Sequence, residues 1–461
     1  MIDPFIANST GALLRDVTTR AVRYLETLPD RGVQPDAAAL RGLAAWDTAL
    51  PDGPTDPAEV LRLLDEVGSP ATMATAGGRF FGFVIGSSLP VTVAANWLAT
   101  AWDQNTGRST VTPATADLER IAAGWLVELL GLPAGTSAGF VTGATLANFS
   151  CLAAARHSVL KRAGWDVEAQ GLFGAPPVTV VVGAEVHPTV IKALGLLGFG
   201  RSRVVQVPVD AQGRMRADAL PRLEGPAIVC LQAGNVNTGA FDPAPAIVPR
   251  ARAAGAWVHV DGAFGLWAAA SPRLASLMAG FGDADSWATD GHKWLNVPYD
   301  SGIAFVREVD ALRAAMAVRA AYLPSDSARE PSDLTPELSR RARGVDVWAA
   351  LRSLGRSGLA ELFERNCRQA RRFAEGFAKA GYAILNDVVL NQVLVSFGTP
   401  DLNARVIAAI QEEGTCWCGG TEWQGRSAMR ISVCSWATTD DDVERSLEAM
   451  LRIAARERSK R

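Results

Sequence analysis

AIVCLQAGNVNTGAFDPAPAIVPRARAAGAWVHVD, residues 227–261, carries the pattern that decides the fold. It opens on a continuous apolar run at 227–232. A turn rich in Gly, Asn and Pro follows, then a helical stretch over 244–254, then a second continuous apolar run at 257–261. A strand wetted on one face alternates apolar and polar residues. A strand apolar at nearly every position is buried on both faces, which is the condition of a parallel sheet covered by helices on each side.

The same texture extends outward. Runs at 178–182 and 204–209 precede this stretch, with a helix-like segment at 187–197 between them, and a run at 303–306 follows it. Ligands of such sheets sit at the carboxyl ends of the strands, so the polar residues just past each run are the ones to examine. Residues 1 to about 70 read differently, as helices (10–28 and 57–67) separated by turns. Beyond about 345 the texture changes again. Residues 345–380 and 402–413 read as helices and 382–386, 393–397 and 429–433 as strands. A closing helix has Thr439 as its N-cap, acidic residues 440–442 in its first turn and arginines in its last, as the helix dipole favours. The expected organisation is a helical N-terminal arm (1–70), a large domain with a mainly parallel sheet (71–345) and a smaller α+β domain (346–461). The apolar faces of the arm need a surface to cover, which a second subunit would supply.

Composition bounds the function. The chain has 461 residues, 48% hydrophobic and 20% charged, with 45 basic against 48 acidic side chains, a net charge of -3. These values exclude a disordered chain and a small disulfide scaffold, and give no electrostatic case for nucleic acid or an anionic membrane. The basic tail at 456–461 reads as a solvated helix end. Six cysteines stand at 151, 230, 367, 416, 418 and 434, without paired CxxC spacing. They fit a reducing compartment, where they act as small apolar residues, and no metal is expected. No basic, apolar leader opens the chain and no apolar run is long enough to span a bilayer, so the expected location is the cytoplasm.

Four features carry chemistry. Thr142-Gly143-Ala144-Thr145 lies between an apolar run and a long helical pattern. Small residues at a helix N-terminus offer free N–H groups to an anion, or serve packing alone. His187 follows a strand and opens a helix, so it either faces a site or caps. Asp261 ends the buried run at 257–261, where a carboxylate needs a partner: a protonated ring nitrogen, an arginine or a backbone amide. Lys293 stands in DGHKW, between apolar residues, where partial burial lowers an amine's pKa and makes it nucleophilic toward aldehydes. A surface lysine is the alternative.

Taken in order, these features resemble the group II pyridoxal-phosphate-dependent amino acid decarboxylases, of the aspartate-aminotransferase fold (fold type I), and in particular the aromatic-L-amino-acid decarboxylases. The matching segments are RFFGF (79–83), PATADLE (113–119), TGATLAN (142–148), AEVHPTVIKA (184–193), GAFDP (239–243), HVDGAFG (259–265), DADSWATDGHKW (283–294), DSGIAF (300–305) and RRARGVDVWAALRSLGRSG (340–358). They span roughly 75–450, and HVDGAFG together with DSWATDGHKW is highly specific.

The resemblance implies an α/β fold, pyridoxal 5'-phosphate as cofactor, a homodimer with the active site at the interface, and decarboxylation of an L-amino acid to its amine and CO₂. The expected side-chain class is aromatic or apolar. Lys293 would form the internal aldimine, Asp261 would pair with the pyridine nitrogen, and His187 would stack on one ring face with Ala263 beneath the other. Gly143, Ala144 and Thr145 would hold the phosphate, helped by His292 and Asp290. An acidic Asp290 is odd beside a phosphate.

Three departures stand out. Members of the family carry a tyrosine on a mobile loop that reprotonates the substrate carbon, yet residues 323–339 contain none. The chain's four tyrosines are Tyr24, Tyr299, Tyr322 and Tyr382, with Tyr322 at the loop's base. The usual GTT is Gly234-Asn235-Val236, and the usual Glu of the phosphate turn is Leu146. Loss of the loop tyrosine leaves other chemistries open: oxidative decarboxylation to an aldehyde, aminotransfer, aldol-type cleavage, or a non-catalytic relative of the fold. In relatives of this fold an arginine of the C-terminal domain can bind a substrate carboxylate; Arg430 reads here rather as one half of a structural ion pair. Phe80, Phe81, Phe83 and Trp102 read either as an apolar substrate pocket or as core.

Overall fold

The computed structural model describes residues 5–318 and 329–460. Tyr322 and residues 323–328 of the tyrosine-free loop lie outside them. Among the described residues, seven strands form one sheet: β1 Ser137–Val141, β2 Thr179–Gly183, β3 Val205–Val207, β4 Ala227–Gln232, β5 Trp257–Asp261, β6 Ser286–Asp290 and β7 Gly302–Val306. Their order is β1-β7-β6-β5-β4-β2-β3. Strands β2 to β6 pair in parallel. The run at 303–306 is the exception, because β7 is antiparallel to both of its neighbours.

The two sides of this sheet explain the continuous apolar runs. Val181, Val229, Leu231, Val258 and Val260 enter one buried cluster. Val180, Val182, Ile228, Cys230 and Trp257 alternate with them and enter another, against the helix Ala144–Arg162. Each buried aliphatic side chain contributes on the order of 1.5–3 kcal/mol. Strand β6, Ser-Trp-Ala-Thr-Asp, escaped the apolar-run reading because its polar residues are satisfied internally. Ser286 Oγ accepts from Trp257 Nε1 at 2.9 Å, and Thr289 Oγ1 donates to the Gly262 carbonyl at 2.9 Å.

A second, antiparallel sheet holds β8 Ala383–Ile384, β9 Gln392–Ser396, β10 Gly419–Trp423 and β11 Arg426–Ser432, in the order β10-β11-β9-β8. Its own core includes Phe373, Phe377, Val393, Met429 and Met450. The helix Arg343–Lys379 leads into it and breaks at Gly355, whose φ of 60° a side chain would strain. The closing helix Asp440–Ser459 starts with a capping box: Thr439 Oγ1 accepts from Asp442 N, and Asp442 accepts from Thr439 N, both at 3.0 Å. At the other end, the helix Phe5–Thr27 leaves Leu14, Val22 and Leu25 exposed.

Candidate active site

Topology delivers side chains from several strand ends to one place. Asp261 is the last residue of β5 and Ala263 follows it. Asp290 ends β6, with His292 and Lys293 just beyond. Gly143 and Ala144 turn from β1 into the helix Ala144–Arg162, and His187 caps the helix Pro188–Leu196 after β2. The antiparallel β7 closes the gap, since its first residue, Gly302, pairs with both Val141 and Asp290. A Cβ on Gly302 would come within 2.4 Å of Gly143 Cα, so only glycine lets the helix start come this near Asp290. The result is a cavity of about 310 Å³. Every residue expected at the cofactor lines it: Gly143, Ala144, Thr145, His187, Asp261, Ala263, Asp290, His292 and Lys293.

Lys293 Nζ lies 2.9 Å from Asp290 Oδ2. Asp290 Oδ1 accepts from Ala144 N at 2.5 Å, and His292 Nε2 stands 3.5 Å from the same oxygen. His292 Nδ1 accepts from Ser301 N at 3.0 Å, and the Tyr299 ring lies against the His292 ring at 4.4 Å. Burial pushes the His292 pKa down, which leaves its ring neutral near pH 7. Behind Lys293 the wall is tight: a Cβ on Gly86 would meet the Lys293 carbonyl oxygen at 1.8 Å.

Asp261 is buried, yet among the described residues its carboxylate accepts a single hydrogen bond, from Ala263 N at 3.2 Å. Burial pushes its pKa up, while His187 and Lys293 pull it down. His187 does both things the sequence left open. It caps, with Nδ1 accepting from Thr189 N at 3.3 Å, and it lines the cavity. Burial lowers its pKa. A neutral ring that accepts at Nδ1 carries its proton on Nε2, so His187 is an N–H donor at that atom. Behind it, Thr189 Oγ1, Asn148 and His259 follow one another at hydrogen-bond distances of 3.5 and 2.8 Å.

The donor set suits pyridoxal phosphate. It combines an amine for an aldehyde, an under-bonded buried carboxylate for a protonated ring nitrogen, backbone N–H groups at a helix start for a phosphate, and a methyl-sized residue, Ala263, where a flat ring needs room. Asp290 is the discordant member.

One expectation fails, and one open pair of readings is decided in part. Arg430 forms no ion pair among the described residues. Its guanidinium donates to the Val236 carbonyl at 3.2 Å and to Asn237 Oδ1 at 3.4 Å, because β11 aims it at the turn after β4 rather than at an acid. The aromatic cluster does not line the cavity. Phe81 is core against Phe373, Phe80 stacks on Trp417 at 5.0 Å, and Phe83 and Trp102 point to the exterior. Val84 takes that place, with Gln232, Gly234, Val236, Phe264, Thr142 and Thr189 also lining the wall. Apart from Thr142, sequence reasoning did not place these residues in the site: Val84, Gly234, Val236 and Phe264 sit in turns, Gln232 ends β4, and Thr189 lies in the first turn of the helix Pro188–Leu196. The one signal was the turn Gly234-Asn235-Val236, where the family pattern breaks at Asn235 and Val236 and where Gly234 has a φ of +96°.

Comparison with known proteins agrees with this geometry. Residues 46–398 match the sequence profile of the pyridoxal-dependent decarboxylase conserved domain. The aromatic-L-amino-acid decarboxylase of Bacillus atrophaeus is 25% identical over 437 residues, covering 88% of this chain and 87% of that protein. The L-2,4-diaminobutyrate decarboxylase of Rhizobium meliloti (strain 1021) is 30% identical over 378 residues, covering 77% and 72%. Among solved structures, Oryza sativa TDC with PLP and tryptamine superposes with a TM-score of 0.90 at 20% identity over 99% of both chains. Mouse CSAD does so with a TM-score of 0.89 at 21% identity over 97% of this chain and 99% of that one. With the match covering most of its length, the chain belongs to the pyridoxal-dependent decarboxylase family.

Proposed function

We propose that this enzyme removes CO₂ from an L-amino acid with an aromatic or apolar side chain, working through Lys293, Asp261 and His187. One observation carries the reading: these three groups, brought from separate strand ends, open on a single cavity whose wall also includes Val84, Val236 and Phe264. Pyridoxal phosphate, when bound, supplies an electron sink for the pair left behind as a bond at the substrate Cα breaks. Lys293 would hold its aldehyde and Asp261 its protonated ring nitrogen. The helix start at Gly143, Ala144 and Thr145 would take the phosphate, with His292 beside it, and His187 and Ala263 would bracket the ring. Asp261 does this work because it is dry: in a low-dielectric setting its charge favours the protonated nitrogen far more than it would in water. His187, whose Nδ1 accepts from Thr189 N, would present its Nε2–H to the site and orient what binds there.

A second reading, oxidative decarboxylation to an aldehyde, rests on the absence of tyrosine from residues 323–339. One experiment separates these readings. The protein is incubated with aromatic, aliphatic and dicarboxylic L-amino acids, with and without oxygen, and the products are read by mass spectrometry. Amine in both atmospheres from the aromatic or aliphatic set is the expected result. Aldehyde with peroxide only in air selects the second reading, and no CO₂ from any member contradicts both.

The division into an arm (1–70), a large unit (71–345) and a small one (346–461) is part of the same proposal, as is a homodimer that completes the site at its interface. The helix Pro90–Trp102 supports the dimer: it is strongly apolar, yet Trp97, Leu98 and Trp102 are exposed. A cytoplasmic location is supported by six buried free thiols, which desolvation keeps protonated. No helix among the described residues is long and apolar enough to cross a membrane.

A further inference from the structure

The charge balance of the cavity is unusual for a phosphate-binding site. Among the described residues its wall carries two carboxylates, Asp261 and Asp290, against one ammonium, Lys293, and no arginine. His187 and His292 do not redress the balance, since burial disfavours the charged form of both rings. Asp290 stands at the phosphate end. Its Oδ1 already accepts from Ala144 N, the leading N–H of the helix Ala144–Arg162, and its Oδ2 holds Lys293 Nζ at 2.9 Å. Asp290 cannot easily turn away. It is buried and ends β6 opposite Gly302, and its carbonyl is tied to Trp267 Nε1 at 3.0 Å.

A helix start draws anions because its N–H groups are unpartnered and its dipole is positive. A fixed carboxylate that takes the first of those N–H groups spends part of this attraction. It also adds like-charge repulsion toward any phosphate brought to the remaining ones. Resting on the reading of this cavity as the cofactor site, we propose that Asp290 is an electrostatic brake on cofactor retention, so that the enzyme exchanges pyridoxal phosphate readily and its loading follows the supply of that cofactor.

The brake acts through the phosphate, and this separates it from an effect of Asp290 on Lys293 alone. Removing the carboxylate frees Lys293 toward any aldehyde, phosphorylated or not. Only the phosphate-bearing aldehyde gains from the lost repulsion and, in Asp290→Ser, from the freed N–H. The test therefore compares Asp290→Asn and Asp290→Ser with the native chain. Release of pyridoxal 5'-phosphate from the loaded protein is followed by absorbance after dilution, and equilibrium binding is measured for both pyridoxal 5'-phosphate and pyridoxal. The expected result is release slowed about tenfold, or about 1.4 kcal/mol, with a much smaller change for pyridoxal. Inorganic phosphate should also compete better against the cofactor in the variants. Two results would overturn the proposal: equal gains with pyridoxal, which would assign the whole effect to Lys293, or unchanged or faster release in folded variants, which would make Asp290 a supporting contact. If neither the native chain nor the variants take up any pyridoxal 5'-phosphate, the cofactor-site reading itself falls, and that failure is distinct from the other two.

Discussion

Two carboxylates on either side of one backbone strand are buried to nearly the same degree and have opposite characters. Asp242, in the turn after β4, has both oxygens filled: Oδ1 accepts from Met215 N and Oδ2 from Gln232 N, each at 2.7 Å. Asp261 lies in register with Gln232 across the β4–β5 ladder and, among the described residues, its carboxylate accepts only from Ala263 N, at 3.2 Å. Burial pushes both pKa values up, that of Asp242 to about 6, against the pull of its two amide donors. A buried charge whose lone pairs are filled by backbone is architecture. One that faces a cavity with a single long hydrogen bond has capacity left for a ligand, and such capacity is costly to bury unless something uses it.

The sharpest way to break this comparison is to neutralise each carboxylate in turn. Asp261→Asn should lower kcat by about 10²–10³-fold, since it removes a preorganised charge from the cavity, with little change in Tm. Asp242→Asn should do the reverse. An amide cannot accept from both N–H groups without turning its own NH₂ against one of them, so stability should fall by about 1–3 kcal/mol while kcat per folded molecule holds. Steady-state kinetics beside denaturant melts read both. Equal losses of activity and stability in the two variants would erase the distinction.

His259 extends the comparison at smaller scale. It is fully buried, with Nδ1 2.9 Å from Ser286 Oγ and Nε2 2.8 Å from Asn148 Oδ1, so it belongs with Asp242. Burial lowers its pKa to about 3, so the fold holds it neutral. The unfolded chain takes up a proton below about pH 6.5. This contribution to stability is therefore complete above that pH and is lost as pH falls toward 3, at up to about 1.4 kcal/mol per unit. Melts of His259→Asn at pH 6.5, 5.5 and 4.5 should show a shallower acid slope than the native chain. An unchanged slope would place the acid sensitivity elsewhere.

The same distinction sorts what was legible in the sequence. Strands β2, β4 and β5 could be read because valine, isoleucine and leucine at successive positions have no other stable home than a sheet buried on both faces. Asp261 and His187 could be read because each ends or follows such a run, and Lys293 because it stands between apolar residues in DGHKW. Strand β6 could not, because Ser286 and Thr289 look solvated until Trp257 and the Gly262 carbonyl are brought beside them. Arg430 was misread for a related reason. An arginine on a partly buried strand invites an acid, but tertiary packing set it against the Val236 carbonyl instead. Val84, one residue past the aromatic RFFGF segment, reaches the cavity while the aromatics do not. Phe83 adopts a positive φ of 51°, which spacing cannot foretell.

The central claim, that Lys293 is the residue that holds the cofactor's aldehyde, can be tested without knowing the substrate. The protein loaded with pyridoxal 5'-phosphate is reduced with borohydride, digested and mapped by mass spectrometry. A phosphopyridoxyl group on the peptide containing Lys293, and on no other, is the predicted result. The group on Lys161, Lys192, Lys379 or Lys460 instead, or on no lysine at all, would contradict the account.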